Sequence, residues 1–164
     1  TFCLTLSLSA AMTYVSSTMI EGATFWVALS VLVVLILLGV LFDMLGVAVT
    51  SASQAPFVAM ASKKVKGAKN SLLVLKHAEK FSNFCNDVVG DICGVVSGTA
   101  GAALAALATA QFGFLPAAFW SVATSAVISA MTVSLKALGK GVAINQSKQI
   151  VEMIGKILAV FIRK

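Results

Sequence analysis

One unbroken apolar run, TFWVALSVLVVLILLGVLFDMLGVAVT from Thr24 to Thr50, carries a single charged residue, Asp43. About 20 residues suffice to cross ~30 Å of hydrocarbon as a helix, so this run spans a bilayer with room for tilt. It has no polar stripe, and a helix apolar all round is buried in protein or lies in lipid. Asp43 stands about two turns before the run ends. A charge at that depth costs several kcal/mol unless it is paired or bound. Any fold of this chain must house that helix and deal with that acid.

Composition agrees. Of 164 residues, 59% are hydrophobic and only 11% charged, against roughly 25% charged in soluble domains. The length allows one domain of about four spans and no large soluble module. The net charge of +6 could suggest nucleic acid, but the twelve Lys and Arg fall in two blocks, Lys63 to Lys80 and Lys136 to Lys164. That is the positive-inside pattern, and no nucleic-acid partner is expected. Three scattered cysteines (Cys3, Cys85, Cys93) and one histidine (His77) exclude a zinc or disulfide framework on spacing. The cysteines read as small apolar fillers and His77 as a solvated residue.

Along the chain, Thr1 to Ile20 is a shorter span whose hydroxyls (Thr5, Ser7, Ser9, Thr13, Ser16, Ser17) suit a helix interface. The other reading, a cleaved signal, lacks a basic n-region in these residues. Glu21-Gly22 makes a turn, and Phe25 and Trp26 suit a headgroup-level anchor. Residues 55–81 read as two short amphipathic helices broken at Lys66-Gly67, a basic hairpin lying towards anionic lipid. Pro56 fits a first helical turn, and Leu72, Leu75, Ala78 and Phe81 recur at helical spacing.

Ser82 to Ala110 is the third span. Regular helical spacing puts Asn83, Asn86, Asp87, Gly90, Asp91 and Gly94 on one side. Gly90, Gly94 and Gly98 form a small-xxx-small ladder that admits a second helix, within the chain or across a homodimer. Ala117 to Leu135 is the fourth span, with Ser121, Ser125 and Ser129 in register, a pattern of helix packing. Residues 136–164 form a juxtamembrane segment with Ile150, Ile154, Ile157 and Phe161 on one side and Glu152, Lys156 and Arg163 elsewhere. With both lysine blocks cytoplasmic, Glu21 and Gly113 lie outside and the first span begins inside. The expectation is an all-α, multi-pass cell-membrane protein. Its partition is 1–20 as an added N-terminal span, 24–135 as a three-span core with the hairpin, and 136–164 as the cytoplasmic helix.

The order of these features resembles the transmembrane domain of the CorC/CorB and cyclin-M (CNNM) magnesium-transport proteins over roughly residues 24–162. Ser51-Ala52-Ser53-Gln54-Ala55-Pro56 stands where that family has a Ser-Ala-Ser-Glu-Thr-Ala type sequence. Lys66-Gly67-Ala68-Lys69 matches its KGAK-like turn, Glu79-Lys80-Phe81 its E-R-F, and Leu138 to Asn145 its Pro-Lys stretch. The departures are Gln54 for Glu, Gly139 for Pro, Lys136 where an acid precedes Pro-Lys, and no ungapped match to the family's Gly-Asn pair near Asn86 and Gly90. Thr1–Ile20 is an addition, and no paired CBS domains follow within these residues. The resemblance implies magnesium transport and a two-fold dimer.

The acids supply the chemistry. At ~1.5 Å per residue, Asp43 lies about 10 Å in from Thr50 and Asp91 about 12 Å in from Asn83, so antiparallel neighbours would bring their depths together. Asp43, Asp87 and Asp91, with Asn83, Asn86, Ser51 and Ser53, make an oxygen-only set suited to a hard cation such as Mg²⁺. With no basic residue inside a span, these carboxylates should be protonated, solvated or cation-bound. The expected function is Mg²⁺ transport, with Na⁺ or H⁺ as coupling ions. The alternative is a non-transporting membrane scaffold that keeps the fold. Asp87 and Asp91 could equally sit at headgroup level or pair with Lys76 or Lys80. Carboxylates converging on one cavity would favour transport; carboxylates diverging or facing lysines would favour the scaffold. No nucleophile–base set or phosphate loop occurs, so catalysis is not expected.

Overall fold

A computed structural model describes residues 2–20, 22, 24–112 and 114–161. Among these every regular element is helical. The elements are α1 (Phe2–Ile20), α2 (Phe25–Ser51), α3 (Ala55–Ser62), α4 (Ala68–Lys76), α5 (Ala78–Asn83), a π-helical stretch (Phe84–Gly90), α6 (Asp91–Phe112), α7 (Ala117–Asn145) and α8 (Ser147–Phe161). Three stretches of the described residues are long and apolar enough to cross a membrane: Phe25–Ser51, Ala78–Phe112 and Ala117–Asn145. α1, expected as a fourth span, is not among these three. Glu21, Gly113 and Arg163, each assigned a side from the sequence, lie outside the described residues, as does the side chain of Phe161.

The chain forms two compact units: residues 1–40 with 88–135, and residues 41–87 with 136–164. α2 and α7 each contribute to both.

In the first unit, α6 is the central helix, with α1 packed along it. Ile92, Val96, Ala100, Leu104 and Ala108 recur every four residues and are all buried, which is the spacing that keeps side chains on one helix face. Small residues set the separations. A Cβ at Gly39 of α2 would stand 3.0 Å from the Cβ of Cys93, and one at Gly101 would run into the Ile128 side chain of α7. The start of α2, the end of α6 and the start of α7 share an aromatic cluster. Phe112 stacks on Trp120 at 5.7 Å between centroids, and Phe25, Phe114 and Phe119 meet these rings edge-on.

The second unit is built on amphipathic helices. Pro56 sits in the first turn of α3, where its missing N–H has no partner to lose. The reversal into α4 passes through Lys64 at φ +56° and Gly67 at φ +86°. Phe57 of α3, Val74 and Leu75 of α4, Val49 of α2 and Val151 and Ile154 of α8 form its core, with Leu72, Ala78 and Phe81 packed against it. The basic hairpin expected at 55–81 is present, but its apolar face lies on α8 and not only towards a lipid surface.

The buried face of α8 is Val151, Ile154 and Gly155, with Ile150 and Leu158 partly covered, while Ile157 is 51% exposed. This is offset from the expected stripe of Ile150, Ile154, Ile157 and Phe161. Glycine explains the offset. A Cβ at Gly155 would stand 2.7 Å from the Gly67 carbonyl oxygen and 3.0 Å from the Ser71 nitrogen. The two backbones nearly touch there, so the contact is centred on Gly155 and not on the most apolar side. Ser71 closes it by donating to the Val151 carbonyl at 3.1 Å. Gly67 serves twice in the KGAK turn, supplying the left-handed φ that only glycine adopts freely and lying against Gly155 and Lys156.

Candidate functional site

Asp43 is buried, at 6% exposure, on the part of α2 that belongs to the second unit. Its Oδ2 accepts no hydrogen bond. The sequence suggested that nothing basic could meet it within the membrane. That is corrected by Lys140 of α7, whose Nζ stands 3.9 Å from Oδ2. The helix explains the difference: α7 runs on to Asn145 instead of ending near Leu135, so Lys140 stays on a rigid helix, with its neighbours Gly139 and Ala143 buried. At 3.9 Å the contact is a Coulombic pair without a hydrogen bond, and the lysine side chain is 54% exposed against 8% for the aspartate.

Asn86 meets the same helix. It sits in the π-helical stretch, its Nδ2 donating to the buried Ser82 hydroxyl at 3.2 Å. Its carboxamide lies on Gly46, where a Cβ would be 2.8 Å from Asn86 Cγ and would collide with Oδ1. Oδ1 is buried and accepts no hydrogen bond. Gly46 follows Asp43 by three residues, on the same side of α2 about 4.5 Å further along. One side of α2 therefore bears one buried oxygen without a donor and faces another, and leaving such a group unsatisfied costs about 1–3 kcal/mol.

The remaining expected ligands are exposed. Ser51 and Ser53 are exposed. Ser51, the last residue of α2, lies about 12 Å beyond Asp43 along the helix. Two oxygens sharing one Mg²⁺ at about 2.1 Å each cannot be that far apart at their backbones, even with both side chains extended. Asp87 is exposed beside Asn86, and Asp91 is exposed at the start of α6, in the first unit. Among the described residues no three His, Cys, Asp or Glu side chains are grouped to hold a metal ion.

On the third span a π-helical stretch intervenes. Its i→i+5 bonding closes a loop one residue longer than that of an α-helix, so Asn86 and Gly90 leave the side that regular spacing drew through Asn83, Asp87, Asp91 and Gly94. Asn86 turns inward and Gly90 is buried, while Asp87, Asp91, Gly94 and Gly98 are exposed. Gly94 and Gly98 have nothing within 4 Å of where a Cβ would stand. With Ser97, Ser121, Ser125 and Ser129 they line a groove of about 390 Å³ between α6 and α7.

Sequence reasoning missed Lys140, Gly46 and Ser82. Gly46 had a signal, being one of two glycines, with Gly39, that stand about one turn from the lone acid. Lys140 had only its position in the second basic block. Cys85 and Cys93 are buried, as fillers would be, and His77 is exposed between α4 and α5. No protein-family model matches the chain, and neither a curated protein nor a solved structure does.

Proposed function

We propose that the chain is a membrane-embedded carrier of a divalent cation, Mg²⁺ first, with Na⁺ or H⁺ as coupling ions. The observation that carries this reading is the pair of buried oxygens without donors, Asp43 Oδ2 and Asn86 Oδ1, on one side of a membrane-length helix. A hard cation is satisfied by such oxygens together with retained water, which Mg²⁺ gives up reluctantly. Of the seven oxygen ligands drawn from the sequence, Asp43 and Asn86 form the centre of the proposed site. Ser51, Ser53, Asn83 and Asp87, exposed and in the same unit, belong to its approaches, where such oxygens attract a hydrated cation, while Asp91 belongs to the other unit. The resemblance to the CorC/CorB and cyclin-M transmembrane domains points the same way.

In this reading α1 is a fourth span of a cell-membrane protein, and residues 55–81 and 136–164 face the cytoplasm, where anionic lipid meets the lysines. The groove at Gly94 and Gly98 receives a second copy of the chain.

Lys140 favours a second reading. An acid that faces a lysine needs no ion, and a scaffold that kept the fold would keep such a pair. Asp43→Asn separates the two. It preserves shape and one oxygen while removing the charge. For a carrier, Mg²⁺-dependent thermal stabilisation and cation flux in reconstituted vesicles fall about tenfold or more, equivalent to ~1.4 kcal/mol or above. Unchanged Mg²⁺ dependence in Asp43→Asn and in Asn86→Ala would leave the scaffold as the better account.

A further inference from the structure

We propose that the Lys140 ammonium is a tethered counter-cation of Asp43, which an incoming cation must displace to reach the carboxylate. The inference rests on the carrier reading and adds a gating residue that the oxygen set did not contain.

Three features of the pair carry it. First, the partners are unequally buried: the aspartate side chain is 8% exposed and the lysine 54%. Asp43 is held in place, whereas Lys140 has a flexible four-carbon stem with an open route to solvent. Second, the contact is loose. At 3.9 Å it lies beyond hydrogen-bond distance, and among the described residues Oδ2 has no donor. A pair built for stability would close that gap, because an unclosed gap forfeits the short charge-assisted bond. Third, Asn86 Oδ1 lies without a donor on the same side of α2. The ammonium satisfies the charge of the site and leaves its second oxygen unfilled.

An ammonium and a metal cation compete for one carboxylate, since both cannot stand against it at full charge in a medium of low dielectric. In the cation-free state Lys140 offsets the cost of burying Asp43, which would otherwise be several kcal/mol. When a divalent cation arrives, it supplies two charges and can accept both oxygens. Lys140 then swings out to the solvent its stem already reaches. The lysine thereby lowers apparent cation affinity and keeps the empty carrier folded, and the release step is assisted by its return.

The test uses the full-length protein in detergent or nanodiscs with Mg²⁺ alone as the probe. Amine acylation at Lys140, read by peptide mass spectrometry, is expected to speed up at least about twofold as Mg²⁺ rises. The rise should follow the same concentration dependence as the thermal stabilisation. Lys140→Gln is expected to tighten Mg²⁺ binding about tenfold while lowering the melting temperature without Mg²⁺, and Lys140→Arg to behave like the parent chain. Mg²⁺ stabilisation confined to Lys140→Gln would also support displacement, as a lysine that outcompetes the ion. If Mg²⁺ stabilises the parent chain through Asp43 while Lys140 labelling and the Lys140→Gln affinity stay unchanged, the counter-cation idea is overturned and the carrier reading stands. If Mg²⁺ stabilises neither the parent chain nor Lys140→Gln, both fall. Labelling of the parent chain needs no variant, so a misfolded substitution cannot leave the question open.

Discussion

The two units hold apolar helices together by different means. The first contains no Lys or Arg at all, and all twelve belong to the second. In the first, the side-chain hydrogen bonds of Ser30, Thr99, Thr109, Thr124 and Thr132 each return to a carbonyl three or four residues back. Such bonds satisfy a hydroxyl within its own helix and tie nothing together. Helix-to-helix contact there rests on fit, as at Gly39 on Cys93 and Gly101 under Ile128. In the second, the Ser71 hydroxyl reaches from α4 to α8, 80 positions away in sequence, over a core of Phe57, Leu75 and Val151. The contrast is between close approach of small residues in one unit and burial of amphipathic faces in the other. Lipid gives helices no hydrophobic reason to associate, so close approach has to supply it. Where water is the alternative, burying apolar side chains contributes ~25 cal/mol per Å².

The largest effect expected from this comparison lies at the Gly67–Gly155 contact. Gly155→Val places a branched side chain against the Gly67 carbonyl and the Ser71 nitrogen, atoms already within 3.0 Å of where a Cβ would stand. These are backbone atoms of the N-cap and first turn of α4 and cannot step aside without separating α4 from α8. The expected loss is about 3 kcal/mol or more, the upper end of overpacking costs. Hydrogen exchange should show it first in α4 and α8, with the amides of α6 still protected. A Gly155→Val protein with parent-like protection in α8 would mean that the second unit is not held by this contact.

A smaller effect separates the two kinds of hydroxyl. Ser71→Ala removes a buried donor and leaves the Val151 carbonyl with one partner fewer, at a cost of about 1 kcal/mol. Thr132→Ala removes only a bond to the Ile128 carbonyl one turn back, and its cost should stay within about 0.5 kcal/mol. Thermal unfolding of the two variants side by side measures the difference. Equal shifts would remove the distinction between local and cross-helix hydroxyls.

Much of the helical framework was legible because its signals are local. The apolar run at α2, the proline opening α3 and the break at Lys66-Gly67 each act within one or two turns, and the structure follows them. What depended on phase over several turns was not legible. The π-helical stretch at Phe84–Gly90 changes the register of every later residue on that helix, and no residue type announces it. It turned Asn86 and Gly90 inward, away from Asp87, Asp91, Gly94 and Gly98, which are exposed. The Asp43–Lys140 pair was hidden for another reason. It joins α2 to the far end of α7, and the length of α7 decides whether the lysine leaves the helix or stays on it. The offset of α8 belongs to the same class, since close approach at Gly155 outweighed the position of the most apolar stripe.

The smallest expected effect on the isolated chain is at Gly94, and it sharpens the contrast most. Regular spacing put Gly94 in a ladder against another helix, yet in the described chain a Cβ there meets nothing within 4 Å, and the same holds at Gly98. Gly94→Leu should therefore leave the melting temperature of the monomer in detergent nearly unchanged, unlike Gly155→Val. Only a helix from outside the chain would feel the new side chain. If a second copy packs on the groove formed with Ser121, Ser125 and Ser129, a leucine there forces the backbones apart and removes the close contacts on which association in lipid depends. Mass photometry or crosslinking in nanodiscs should then show loss of the dimer with the monomer intact. A Gly94→Leu protein that still dimerises like the parent would move the dimer interface elsewhere. One whose monomer unfolds would show that some part of this chain covers Gly94 after all.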